Sequence, residues 1–304
     1  MRLISIALIA ALSAPLPSFA APTEEDVATA RLAYIRGDYG GALDVIKEAA
    51  EAGNAKALNI LGAAYEEGRG VEVDRPRAIA LFEQAAKAGE VRARYNLGTI
   101  YAFGSGEIPM DRDQAKREFR LAASAGYAPA MTALGQLRET ATPPDHDAAA
   151  DWYEKAHDKG DVVATANLAH AYVTGQGRPE NWSEARVLYT EAAERGYPRA
   201  YNDLGVMHQK GYGVHADVLT AFTYFLVSVE RGYAKAGVNM AELIIKARFP
   251  FSSNHAAMGY CLWAVENATP RERDGFQQEC DALDVIIKPD EATPARARLF
   301  ADRL

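Results

Sequence analysis

The sequence predicts an all-α chain: an α/α superhelical solenoid of helix–turn–helix repeats closed by a C-terminal helical cap. Three observations predict it. A segment of the type Ala-x-x-x-Leu-Gly-x-x-Tyr returns six times, led by Ala57, Ala93, Ala130, Ala164, Ala200 and Ala236, with gaps of 36, 37, 34, 36 and 36 residues. A second pattern, Ala-x-x-apolar-aromatic-x-x-Ala-Ala, follows and ends on Gly89, Gly126, Gly160, Gly196 and Gly232 in turn. Within each pattern the apolar residues keep helical spacing; Ala57, Leu61, Ala64 and Tyr65 fall at i, i+4, i+7 and i+8, one face of a helix. A fixed period of this length marks units that bury their apolar faces by stacking on copies of themselves.

Residues 1–20 read as a secretory signal peptide. Met1-Arg2 gives a short positive start, Leu3 to Leu12 an apolar run, and Ser18-Phe19-Ala20 the small residues of a cleavage site, so cleavage after Ala20 is expected. Ten apolar residues are too few to cross a hydrocarbon core, which needs about twenty. The mature chain is therefore expected in the periplasm or outside the cell.

Residues 21–54 form an atypical first repeat, tetratricopeptide-like. A short helix around Val27 to Arg36 and a turn at Gly37-Asp38 precede the second-helix pattern of Ala42, Val45, Ile46, Ala49 and Ala50. Residues 55–247 hold the regular units, about 55–90, 91–127, 128–161, 162–197 and 198–233, with a partial unit at 234–247. Each first helix carries glycine or alanine five residues after its leading alanine: Gly62, Gly98, Gly135, Ala169, Gly205 and Ala241. Glycine inside a helix costs about 1 kcal/mol relative to alanine. Four recurrences of that cost imply a recurring gain, the close approach of a second helix. The aromatic residues of the second pattern, among them Phe82, Phe119, Tyr153, Tyr189 and Phe225, supply the knob for that seat. Gly-x-Gly triplets such as Gly68-Arg69-Gly70 and Gly211-Tyr212-Gly213 lack the third glycine and the preceding strand of a dinucleotide loop, and read as turns. The unit from Ala130 has Pro143-Pro144 in that place.

Residues 248–304 form the cap. Asn254 to Glu266 and Pro270 to Leu283 read as a helical hairpin with Thr269 as cap, and Thr293-Pro294 opens a last helix to about Asp302. Both cysteines, Cys261 and Cys280, lie here. An oxidising compartment invites a disulfide between them. With the turn near Ala268 they are offset by about one helical turn, so a bond is within reach, and two buried thiols remain the other reading.

Without Arg2, 32 basic side chains face 41 acidic ones, a net charge of −9. Such a surface argues against nucleic acid as partner, and no later segment is apolar enough to span a membrane. The six histidines, His146, His157, His170, His208, His215 and His255, show no ligand spacing, so no metal or cofactor is expected, and no serine or cysteine sits in a nucleophile motif. What remains is a surface for a protein or peptide. Positions two, six and nine after the leading alanine lie off the packing stripe. In the middle units they include Tyr95, Thr99, Gln136, Glu139, His170, Asn202 and Gln209, a polar lining with one aromatic anchor on the expected concave side.

The unit Ala-x-x-x-Leu-Gly-x-x-Tyr-x-x-Gly-x-Gly-Val, then Asp, then Ala-x-x-x-Phe-x-x-Ala-Ala-x-x-Gly resembles the Sel1-like repeat, a relative of the tetratricopeptide repeat. Ala57 to Gly89 matches almost throughout, and the resemblance runs from Ala55 to about Lys246. It implies an α/α superhelix that scaffolds protein complexes, with some bacterial members exported to the envelope. The resemblance also implies the alternative function, a hydrolase of cell-wall or β-lactam material, known from a branch that pairs cysteines within each repeat. No repeat here contains a cysteine, so a non-catalytic, exported interaction scaffold or regulator is the expectation.

Overall fold

The computed structural model describes residues 21–106, 108–246, 254–287, 297–298 and 301–302. Among these residues fifteen helices form and no strand, apart from an isolated bridge between Ser105 and Ile108. The chain divides into two compact units, Met1–Glu118 and Phe119–Leu304. The expected signal peptide, and the Thr293-Pro294 start of the last helix, lie outside the described residues.

The first unit holds α1 (Glu24–Ile35), α2 (Gly40–Glu51), α3 (Ala55–Glu67), α4 (Arg75–Lys87), α5 (Val91–Phe103) and the start of α6 (Arg112–Ser124). From α1 to α5 each helix packs on the next, and α3 also touches α1. Their core is a run of small residues interrupted by large ones: Ile46, Ala49, Ala57, Leu61, Ala64 and Phe82 are all buried.

The second unit continues with α7 (Ala128–Glu139), α8 (His146–Asp158), α9 (Val162–Thr174), α10 (Trp182–Glu194), α11 (Pro198–Lys210), α12 (Val218–Glu230) and α13 (Ala234–Lys246). The hairpin α14 (Asn254–Asn267) and α15 (Arg273–Ile287) follows. Neighbours in sequence again pack in pairs, while α7 touches α9 and α11 touches α13, so alternate helices form a second line of contact. This is the helix–turn–helix solenoid that the period predicts.

Local chemistry explains each boundary. The side chains of Asn54, Asp74, Asp145, Asp161 and Asn181 each accept the N–H three residues on, at 2.8–3.2 Å, and open α3, α4, α8, α9 and α10. Three first helices, α3, α9 and α11, end on glycine in the left-handed conformation, with φ of 72° at Gly68, 69° at Gly175 and 74° at Gly211. A backbone bond then ties each second helix back to the first. The N–H of Asp74, Asp111, Asn181 and Asp217 donates to the carbonyl of Tyr65, Tyr101, Tyr172 and His208, at 2.7–3.0 Å. The unit with Pro143-Pro144 closes the same bond, Asp145 N–H to Arg138 carbonyl at 3.0 Å, across a loop containing a cis Thr142–Pro143 peptide.

The internal glycines are seats for rings. A Cβ on Gly62 would stand 2.8 Å from Phe82 Cε1, and on Gly205 2.6 Å from Phe225 Cδ1, so no larger residue fits without displacing the ring. Tyr153 covers Gly135 in the same way.

At the cap, Cys261 and Cys280 are bonded, with their Cα atoms 5.6 Å apart. The helix expected from Pro270 begins instead at Arg273. The Thr269 carbonyl accepts from both Glu272 N–H and Arg273 N–H (3.0 and 3.1 Å), which makes one tight turn before the helix proper. Thr269 Oγ1 donates to Glu272 Oε2 at 2.6 Å. Ala297 and Ala301 are buried, and Asp302 N–H donates to the Arg298 carbonyl at 3.0 Å, a helical bond within the expected last helix.

Candidate functional site

The residues expected to meet a partner all lie on first helices, but they do not all lie free. In the first unit Tyr95 and Thr99 share α5; both are half-buried, and the Thr99 hydroxyl donates to the Tyr95 carbonyl at 3.0 Å. In the second unit Gln136 and Glu139 lie on α7, His170 on α9, and Asn202 and Gln209 on α11. Gln136 and His170 are exposed, Glu139 and Gln209 half-buried.

Asn202 corrects the expectation. It is 4% exposed, accepts from Asn239 Nδ2 of α13 at 2.7 Å and donates to Asp203 Oδ1 at 3.0 Å. The same device recurs in the first unit, where Asn96 Nδ2 of α5 donates to Asn59 Oδ1 of α3 at 2.9 Å. Arg199 Nη1 of α11 reaches Asn167 Oδ1 of α9 at 3.3 Å. Positions two and three after the leading alanine therefore link one first helix to the next. These amides tie the stack together, and the buried Asn202 is held there rather than offered on an open face.

Beside Asn202 lies a charged cluster that the sequence reading passed over. Arg199 Nε and Asp203 Oδ2, one turn apart on α11, form an ion pair at 3.4 Å, with side-chain exposures of 31% and 20%. Burial raises the Asp203 carboxyl, and Arg199, then Asn202, pull it back down. Burial acts to lower Arg199, but Asp203 and the tyrosines 233, 189 and 197 outweigh it and raise the guanidinium. The Tyr233 hydroxyl is pushed up to about 12, first by burial and then by Asp203. His170 is exposed by area, yet enough protein surrounds its ring that burial, and then Arg199, lower its pKa from 6.5, with Asp203 and Glu139 opposing. At neutral pH it is an uncharged imidazole.

Two cavities accompany these groups. In the second unit a slot of about 190 Å³ opens among α9, α10, α11 and the turn after α11, with His170, Tyr189, Asp203 and Tyr212 on its wall. In the first unit a wider cleft of about 660 Å³ runs along the start of α4 and the turn after α5. There the Arg77 guanidinium lies 4.4 Å over the Tyr65 ring, and Glu72 and Asp74 balance Arg75 and Arg77. The mixture suits a polar chain segment better than a single ion. Among the described residues no group of three or more His, Cys, Asp or Glu side chains could hold a metal ion, and no helix is long and apolar enough to cross a membrane.

The signal for the charged cluster was present in the sequence. Arg199 and Asp203 stand at i, i+4 on a first helix, a spacing that pairs opposite charges, and Tyr197 and Tyr233 occupy equivalent places one repeat apart. A search confined to positions two, six and nine skips Asp203, which is at position three.

A family model described as Sel1 repeat matches residues 55–90, 91–127, 128–161, 162–197 and 198–233, more than half of the chain. An uncharacterised protein of Neisseria meningitidis serogroup B is 32% identical over 134 residues, which are 44% of this chain and 28% of that protein. The chain spans less than a third of the length of the curated relatives it matches. Among solved structures, a Sel1 repeat protein from Oxalobacter formigenes superposes with a TM-score of 0.65 at 24% identity, covering 85% of this chain and 97% of that one. A protective antigen of uropathogenic Escherichia coli with the same fold gives 0.60 at 24% identity, covering 90% and 59%. At these identities the two structures speak for the fold alone.

Proposed function

Because the chain belongs to the Sel1 repeat family, whose repeats mediate contacts between proteins, we propose that it is a non-catalytic, exported scaffold or regulator of the bacterial envelope that binds a protein or peptide on its first helices. The observation that carries this reading is the division of labour on those helices. Asparagines at positions two and three hold the stack together, while Gln136 and His170 stay at the surface, His170 at the wall of an open slot. Export is supported by the Met1-Arg2 start, the apolar run to Leu12 and Ser18-Phe19-Ala20. The Cys261–Cys280 bond suits an oxidising compartment. For the hydrolase alternative, the cysteine pairs of that branch have no counterpart within these repeats.

Affinity capture from envelope extract with the mature chain tests the reading. A specific protein is expected, with recovery falling about tenfold or more for Tyr95→Ala combined with Gln136→Ala, as for loss of interface hot spots. Equal recovery by that variant would remove these positions from the interface. Turnover of a chromogenic β-lactam or of peptidoglycan fragments would replace the scaffold reading with the enzymatic one.

A further inference from the structure

A third cavity, of about 230 Å³, lies in the first unit among the first helices α1, α3 and α5. It is smaller than the roughly 300–1,000 Å³ of a small-molecule pocket, and its size suits one side chain. Arg31, Lys56 and Arg92 stand around it, all exposed, and Asn59, Ile60 and Glu90 complete the wall. Three cations against one carboxylate reverse the balance of the whole chain, in which 41 acidic side chains outnumber 33 basic ones. The acceptors in the wall are largely engaged. Glu90 Oε1 takes the Arg92 N–H at 3.0 Å, and Asn59 Oδ1 takes Asn96 Nδ2 at 2.9 Å. Asn59 keeps its own amide hydrogens as donors. Ile60, 9% exposed, adds an apolar patch.

The repeats show what such cations meet elsewhere. The residue before the leading alanine is basic in four units: Lys56, Arg92, Arg199 and Lys235. Glu24 meets Lys56, Asp203 meets Arg199 and Glu279 meets Lys235. Arg92 has no such carboxylate among the described residues, and neither has Arg31 across the cavity from α1. A cationic visitor is repelled here, and a neutral one leaves both guanidinium groups unanswered. A carboxylate accepts from the two guanidinium groups and from the Asn59 amide together. Phosphate brings a second negative charge, which Glu90 opposes, and no stem to cover Ile60. Resting on the scaffold reading above, we propose that this cavity receives one glutamate side chain of a partner protein, its carboxylate held by Arg31 and Arg92 and its methylenes on Ile60.

Methyl NMR on the full mature chain at low salt, titrated with N-acetyl-glutamate α-amide, N-acetyl-glutaminamide, N-acetyl-lysinamide and inorganic phosphate, tests this. The glutamate probe should shift the Ile60 methyl signals and bind about tenfold more tightly than the glutamine probe, as charge-assisted bonds exceed neutral ones. Arg31→Gln combined with Arg92→Gln should abolish the shift, with an unchanged urea midpoint showing that the fold is intact. If that variant is destabilised, Arg92→Glu decides instead, by transferring the preference to the lysine probe. Glu90→Gln, which removes the opposing charge, should tighten glutamate binding about threefold. Equal affinity for glutamate and glutamine, tighter binding of phosphate, or a shift that survives both arginine variants would each overturn the proposal. The two readings separate in the capture experiment. A partner retained in full by the double arginine variant sinks the glutamate site and spares the scaffold. Glutamate binding at Ile60, with no protein captured, spares the site and sinks the scaffold.

Discussion

In the repeat of α11 and α12, Phe225 lies across Gly205; in the pair of α13 and α14, the seat is Gly237, and the nearest atom over it is a backbone oxygen, with the Trp263 ring and Ala264 beside it. A Cβ on Gly237 would stand 2.8 Å from the Tyr260 carbonyl oxygen and 3.0 Å from both Ala264 and Trp263. Position five, which holds glycine in four of the repeats, is Ala241 in α13, fully buried. The seat has moved one helical turn toward the N-terminus. The regular repeats thus meet ring on backbone, and the cap adds a close backbone-to-backbone approach to its ring contact. Additional ties hold the cap: the Cys261–Cys280 bond and the ion pair of Lys235 with Glu279 at 2.5 Å.

If that contrast is right, removing the disulfide has the largest effect, and a local one. Cys261→Ala with Cys280→Ala should cost about 2–4 kcal/mol for a loop of this length. Amide exchange should accelerate in α14 and α15 and stay unchanged in α11 and α12. Uniform acceleration throughout the second unit would mean that cap and repeats unfold as one body, and the contrast would lose its energetic content.

A paired substitution sharpens the comparison at lower cost. Alanine at Gly205 gains about 1 kcal/mol of helix propensity and loses about 1–3 kcal/mol to overpacking against Phe225. Alanine at Gly237 faces a carbonyl oxygen that cannot turn aside as a ring can, so its loss should be the larger. Urea melts of both variants measure the order. A Gly205→Ala protein more stable than the parent would show that the ring yields freely and that its fit on glycine is not what holds the repeat.

The ring seats were legible because a glycine recurring in register against an aromatic is a periodic signal, readable without coordinates. The fate of Asn202 was not. A helical wheel shows which residues leave the packing stripe of one helix pair, but not where the next first helix arrives. In the structure α13 arrives over position two of α11, and Asn239 takes Asn202. The disulfide was half legible for a similar reason. The helices were placed from the caps, and the turn runs three residues longer than Thr269-Pro270 suggests. Cys261 lies six residues before the end of α14 and Cys280 seven after the start of α15, so the two stand nearly level rather than a turn apart. The pair Arg199 and Asp203 is hard to read from sequence because an i,i+4 ion pair looks the same on a solvated face as on a buried one, and here burial and the neighbouring tyrosines act on it.

The smallest expected effect concerns His170 and asks whether the slot region is as enclosed as its pKa implies. Its folded-state value is lowered from 6.5, by burial first and Arg199 second. Above that value both folded and unfolded chains carry it neutral, and it adds no pH dependence. As pH falls below 6.5 the unfolded chain takes the proton and the folded chain resists it, so stability drops until the folded-state pKa is passed. Asp203 acts in the opposite sense, because a carboxyl raised by burial accepts its proton in the folded chain first and gains stability on acidification. Urea midpoints of the parent and of His170→Gln, compared between about pH 7 and pH 5 where a histidine titrates, isolate the first contribution. The variant should lose less stability over that interval. Parallel curves would mean that water reaches the imidazole as freely in the folded chain as in the unfolded one, and that the slot beside it is an open furrow.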